Sequence, residues 1–222
     1  MSTIIKAKPW IPYAAPFALY MFLLAFESPH NVLFLYPVKV IAVAVLLFLL
    51  RKHYDELRLP CSANSLGLAI LTGLVVIVIW IAIDSSYEHL DQLMNKSIAP
   101  FDPTTIQPPS WRWTFIAFRV AGASLIVPVM EELFWRAFLI RWLVNEDFKA
   151  VRLGAFSLTS FSVTVLLFGS AHNQWLAGLI CCVLYNILYY RTRSIVACVV
   201  AHAVSNAALA GWVLARGDWK FW

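Results

Sequence analysis

Three apolar stretches of this chain each carry side chains of the kinds used in hydrolytic chemistry. Glu131-Glu132-Leu-Phe-Trp-Arg136 lies inside one stretch, His172 ends a second, and His202 with Asn206 lies within a third. An ionisable group at membrane depth costs a few kcal/mol or more, so each is a candidate functional residue from the outset. Carboxylate, imidazole and carboxamide together supply a proton acceptor, a proton carrier and hydrogen-bond donors.

Spacing narrows the roles. Glu132 and Arg136 are four residues apart, share a helix face and can pair, which neutralises one buried carboxylate. Glu131 lies about 100° around the helix with no cation at that spacing. A buried carboxylate without a close cation is the better proton acceptor, so Glu131 reads as a general base supported by Glu132–Arg136. The plain alternative is an ion pair bracing a proline break. His202 and Asn206 are also four apart and stack on one face, where two donors can hold an oxyanion. The alternative there is a polar pair joining two helices. His172 follows Phe168 by one turn, and an interfacial histidine is its plain reading. The case for chemistry rests on all three coming together.

The elements that must position these groups are membrane helices. Of the 222 residues, 61% are hydrophobic and 13% charged, about half the charged fraction of soluble domains. Helices of roughly 20 apolar residues are expected at about 11–27, 32–50, 66–84, 113–144, 154–171, 174–190 and 195–214. The expectation is thus an all-α polytopic membrane protein with about seven transmembrane helices, forming one domain over 1–222. The segment 113–144 is too long for one span and carries Pro128 three residues before Glu131, so helix 4 is expected to be broken or extended there. Pro12 and Pro16 and the lack of a small-x-small cleavage site mark the first apolar run as a retained helix, not a signal peptide.

Loop charges set an orientation. Lys6 and Lys8 precede helix 1; Arg51, Lys52 and Arg58 follow helix 2; Arg141, Lys149 and Arg152 follow helix 4; Arg191 and Arg193 follow helix 6. The positive-inside rule then predicts a cytoplasmic N-terminus, against which Arg216 and Lys220 in the tail count weakly. The net charge of +5 reads as loop charge and not as a nucleic-acid patch. Loop 85–112 holds four of the eleven prolines and suits either a substrate rim or a solvated connection. Lys39 is placed to meet Glu27 across a short turn, and Arg119 to snorkel or to pair with a carboxylate. Trp111, Trp113, Trp142, Trp175, Trp212, Trp219 and Trp222 fall near segment ends as interfacial anchors. The four cysteines show no metal-ligand spacing. No phosphate loop, dinucleotide fingerprint, zinc-protease helix or nucleophile elbow is present.

At these residues the chain resembles the CAAX-protease and bacteriocin-processing family of intramembrane proteases, through Glu131-Glu132…Arg136, Phe168…His172 and His202…Asn206 in order. The resemblance implies water activated by Glu131 and His172, an oxyanion held by His202 and Asn206, and supporting roles for Glu132, Arg136 and Phe168. It implies a peptidase acting on a membrane-associated or exported protein, of either a glutamate or a zinc-dependent type. The zinc form would use His172 and His202 with Glu131; no cofactor is otherwise expected. Further stretches, Val-Pro-Val-Met-Glu-Glu-Leu-Phe-Trp-Arg at 127–136 and the terminal Gly-Asp-Trp-Lys-Phe-Trp, are similar to a bacterial subgroup that accompanies exosortase sorting systems. That likeness implies the bacterial inner membrane and sorting-system components as partners. The competing class is a non-catalytic scaffold or immunity-type partner with the same fold.

Overall fold

Within a bilayer each segment must satisfy its own backbone N–H and C=O groups, so apolar runs become helices. A computed structural model describes residues 7–96 and 100–222; Lys6, expected ahead of the first helix, lies outside them. The long helices are α1 (Ile11–Leu24), α2 (Val32–Leu50), α3 (Ala63–Ile83), α4 (Pro109–Trp142), α5 (Leu158–Ser170), α6 (Trp175–Thr192) and α7 (Ile195–Arg216). No strand occurs among the described residues. The chain is an all-α polytopic membrane protein.

Local chemistry sets the boundaries. The Ser62 hydroxyl accepts from the Ser65 N–H at 3.1 Å, and the Ser194 hydroxyl from the Ala197 N–H at 3.2 Å, so serines cap α3 and α7. Gly217 ends α7 with φ +67°, a conformation that costs glycine little.

Four segments are long and apolar enough to cross a membrane: Val32–His53, Ala63–Leu93, Pro109–Trp142 and Ile195–Arg216. Helices α1 and α5 have only 14 and 13 residues, about 20 Å of rise against a core of about 30 Å. For α5 the reason is visible. It stops at residues 171–174, which line an internal cavity, a setting in which irregular backbone is tolerated at membrane depth.

Helix α4 is extended, not broken. Its 34 residues run continuously, with π-helical stretches at Gly122–Ile126 and Leu133–Leu139. Pro128 explains part of this. The Val127 N–H reaches back five residues to the Gly122 carbonyl, and Pro128 has no N–H to offer the next one. The carbonyl of Ala123 is therefore left without a backbone donor.

Close helix approaches bring the polar faces together. A Cβ at Gly73 of α3 would fall on the Ala201 carbonyl oxygen of α7, so α3 and α7 pack at that point only with glycine there. The α1–α2 turn is closed by the expected Lys39–Glu27 ion pair, with Lys39 buried under the rings of Tyr20 and Tyr36.

Arg141 departs from its reading as a loop charge. It is buried and pairs with Glu56 at 2.6 Å, while Tyr13 donates to the same carboxylate at 2.7 Å. This end of the bundle is thus closed by a buried polar lock. At the opposite end, loop 85–96 is a fastened rim and not a free connection. The Leu90 N–H donates to the Asn173 carbonyl at 3.0 Å and the Trp175 indole to the Glu88 carbonyl at 3.0 Å.

Candidate active site

Glu131, His172, His202 and Asn206 come from α4, the end of α5 and α7, and all four line one cavity of about 400 Å³. The three motifs, separated in sequence, therefore meet in space. Glu131 is 8% exposed and its Oε2 has no hydrogen-bond partner among the described residues. Its oxygens are left to whatever enters the cavity.

Each histidine is tied through Nδ1. The His172 Nδ1 lies 2.7 Å from the Phe168 carbonyl oxygen. A carbonyl only accepts, so Nδ1 carries the proton and the neutral ring keeps its lone pair on Nε2. The Phe168 ring stacks on the imidazole at 4.6 Å, and Trp80 meets it edge-on at 5.7 Å. The spacing of Phe168 and His172 thus has two physical meanings, a ring that fixes the tilt and a carbonyl that fixes the tautomer.

The His202 Nδ1 sits 2.9 Å from Glu132 Oε1, and the same oxygen accepts from Arg136 Nη1 at 3.0 Å. This redirects one expectation. The Glu132–Arg136 pair forms as the spacing predicts, but it holds His202 and not Glu131. The geometry has a chemical consequence for an oxyanion donor. With Nδ1 held against the Glu132 carboxylate, Nε2 is the ring nitrogen left to the cavity. Arg136 is fully buried, donating also to Asn186 Oδ1 at 3.2 Å and Cys182 Sγ at 3.3 Å and facing the Phe168 ring at 5.0 Å.

Asn206 resolves the problem that Pro128 creates. Its Nδ2 donates to the stranded Ala123 carbonyl at 2.8 Å. One amide hydrogen is used, the carboxamide plane is fixed, and the second hydrogen remains available on the cavity wall. The π-stretch, the proline and the asparagine are one device for aiming a donor.

Sequence reading missed several members. Tyr185 meets Ser205 Oγ at 2.6 Å, and Ser205 donates to the His202 carbonyl at 2.9 Å, so both brace α7. Asn186 donates to Thr164 Oγ1 at 3.3 Å while holding Arg136. Asn186 was detectable as an amide in an apolar run; Tyr185 and Ser205 carried no such signal. Among the described residues no three His, Cys, Asp or Glu side chains are grouped closely enough to hold a metal ion as they stand.

Residues 112–208 match the family model described as type II CAAX prenyl endopeptidase Rce1-like. Neither a curated protein nor a solved structure matches the chain. The matched stretch holds all three motifs and every residue of the polar constellation just described, and through it this part of the chain is similar to the type II CAAX prenyl endopeptidases.

Proposed function

We propose that the chain is an intramembrane endopeptidase in which water is the nucleophile. The observation that carries this is the convergence of a partnerless carboxylate, two Nδ1-anchored imidazoles and an aimed carboxamide on one cavity. Glu131 takes one proton as the water oxygen attacks the scissile carbonyl, and the O–H that remains on the tetrahedral carbon donates to His172 Nε2. His202 Nε2–H and Asn206 Nδ2–H hold the oxyanion. As the C–N bond breaks, Glu131 gives its proton to the leaving nitrogen, and the remaining hydroxyl proton passes through His172 Nε2 to the same nitrogen. The products are a carboxylate and an ammonium, with both residues restored. Mapping new peptide termini after incubation of the reconstituted chain with a peptide library tests this directly. No cleavage under any condition would sink it.

Asn206→Ala is expected to lower kcat about 10²–10³-fold, the usual loss of one oxyanion donor. It also strands the Ala123 carbonyl, at about 1–3 kcal/mol. Asn206→Asp keeps the size without the donor and should be as slow. An Asp variant with normal kcat would show that the amide serves packing alone.

The cavity's position within the bundle bears on the substrate. It is walled by the C-terminal halves of α1 and α3, by residues 171–174 and by Phe221 and Trp222. That end is opposite the loops bearing Arg51, Lys52, Arg58, Lys149, Arg152, Arg191 and Arg193. With the basic loops cytoplasmic, the site opens to the outer face, as a substrate exported across a bacterial inner membrane requires. Asp55 is exposed on the basic side. In a Cys61→Ser background, Asp55→Cys should resist an impermeant thiol reagent in intact cells and react after lysis. Reaction in intact cells would invert the orientation.

A further inference from the structure

Beside the chamber of Glu131 lies a second, larger cavity of about 1120 Å³. Arg119 lies on the walls of both. Its guanidinium rests against the rings of Tyr36 at 4.9 Å and Trp222 at 5.5 Å. It makes no ion pair and no side-chain hydrogen bond among the described residues; Arg119 takes part only through its carbonyl, which accepts from the Tyr36 hydroxyl at 3.2 Å. Of the two uses expected for it, snorkelling or pairing with a carboxylate, the pairing is not formed among the described residues.

The nearby charges explain why. Glu27 is taken by Lys39, and Asp84 is taken by Lys220 at 2.7 Å with His89 at 3.2 Å. The Lys220–Asp84 pair also anchors the tail that brings Trp222 over Arg119. Asp91 and Lys96 line the outer cavity only. A guanidinium presents its donors in a rigid fork suited to a carboxylate. Here that fork is stacked, pre-positioned and unused where the outer cavity meets the inner one.

We propose that Arg119 determines substrate specificity by taking a carboxylate of the peptide. The proposal rests on the peptidase reading above. Residues 119 and 131 lie on one continuous helix, about 18 Å apart along its axis, so the carboxylate falls about five extended residues from the scissile bond. An acidic side chain and a free C-terminus both provide that chemistry. Lipid phosphate is the less suitable occupant, because Arg119 faces the peptide chamber as well as the vestibule.

The test measures binding of synthetic peptides to the full-length Glu131→Gln chain in neutral phosphatidylcholine nanodiscs. Matched peptides carry Glu or Gln at successive positions, and a free carboxylate or a carboxamide at the C-terminus. The acidic member of the best pair should bind about 10–100-fold more tightly. Its identity separates side chain from terminus. Arg119→Gln should erase that preference while leaving the neutral peptides unchanged, and Arg119→Lys should retain part of it. Neutral peptides act as the control for folding. No preference in the parent, or an equal loss for acidic and neutral peptides, overturns the proposal, as does competition by anionic lipid alone. Discrimination in binding without cleavage by the Glu131 chain would keep Arg119 as a carboxylate receptor and remove the peptidase reading. Cleavage without discrimination would do the reverse.

Discussion

Replacing Glu131 by Gln should lower kcat/KM about 10²–10⁴-fold, the range of a lost general base, while the thermal midpoint stays where it was. The second half of that statement comes from the geometry. The carboxylate makes no ion pair and Oε2 has no hydrogen-bond partner among the described residues, so an isosteric amide deprives no protein group of a partner. Gln keeps volume and polarity and removes only basicity. Comparable losses in stability and rate would mean that Glu131 braces the helix. Full biological function in the Gln variant would favour the non-catalytic scaffold. A chelator provides the second arm. Under the carboxylate mechanism proposed above, cleavage should persist after exhaustive chelation. Loss of activity that stoichiometric Zn²⁺ restores would overturn the carboxylate mechanism.

Much of this arrangement was legible before any coordinates, for identifiable reasons. Apolar run length located the helices, because satisfying the backbone in lipid leaves few other options. A spacing of four predicted that Glu132 would meet Arg136, since that is a property of one helix. What lay beyond reach was contact between helices. That Glu132 would orient His202, seventy residues away, depends on how α4 and α7 pack. Pro128 announced a disturbance but not its form. A break and a π-stretch both leave a carbonyl unpaired; the Val127 N–H bond to Gly122 marks the π-stretch, and Asn206 arriving from α7 supplies the missing donor. Arg141 reads as a loop charge from its position, and its burial becomes visible only with Glu56 and Tyr13 in place. Trp222 reads as an interfacial anchor near a segment end, whereas it lines both cavities.

The largest stability effect should come from Arg136. Its guanidinium and the Glu132 carboxylate are wholly buried, and removing one partner of such a pair typically costs about 3–5 kcal/mol because the other charge is left stranded. Arg136→Ala would strand Glu132, leave Asn186 Oδ1 without its donor and open space beside Phe168. The variant should fail to accumulate, or unfold well below the parent in a detergent melt. Arg136→Lys separates charge from shape. It keeps a cation near Glu132 but gives up the fork that also reaches Asn186 and Cys182, so it should recover part of the stability. An Arg136→Ala chain with an unchanged melt would show that the pair contributes little. Combining Glu132→Gln with Arg136→Met addresses the rest of the network. Removing both charges takes away the stranded-ion cost, so the double variant should be more stable than Arg136→Ala alone. Its His202 would still lack the carboxylate that holds Nδ1, so it should fold without recovering activity. That separation follows from one carboxylate oxygen serving both partners: Glu132 Oε1 joins the ion pair that holds α4 together to the imidazole on the cavity wall.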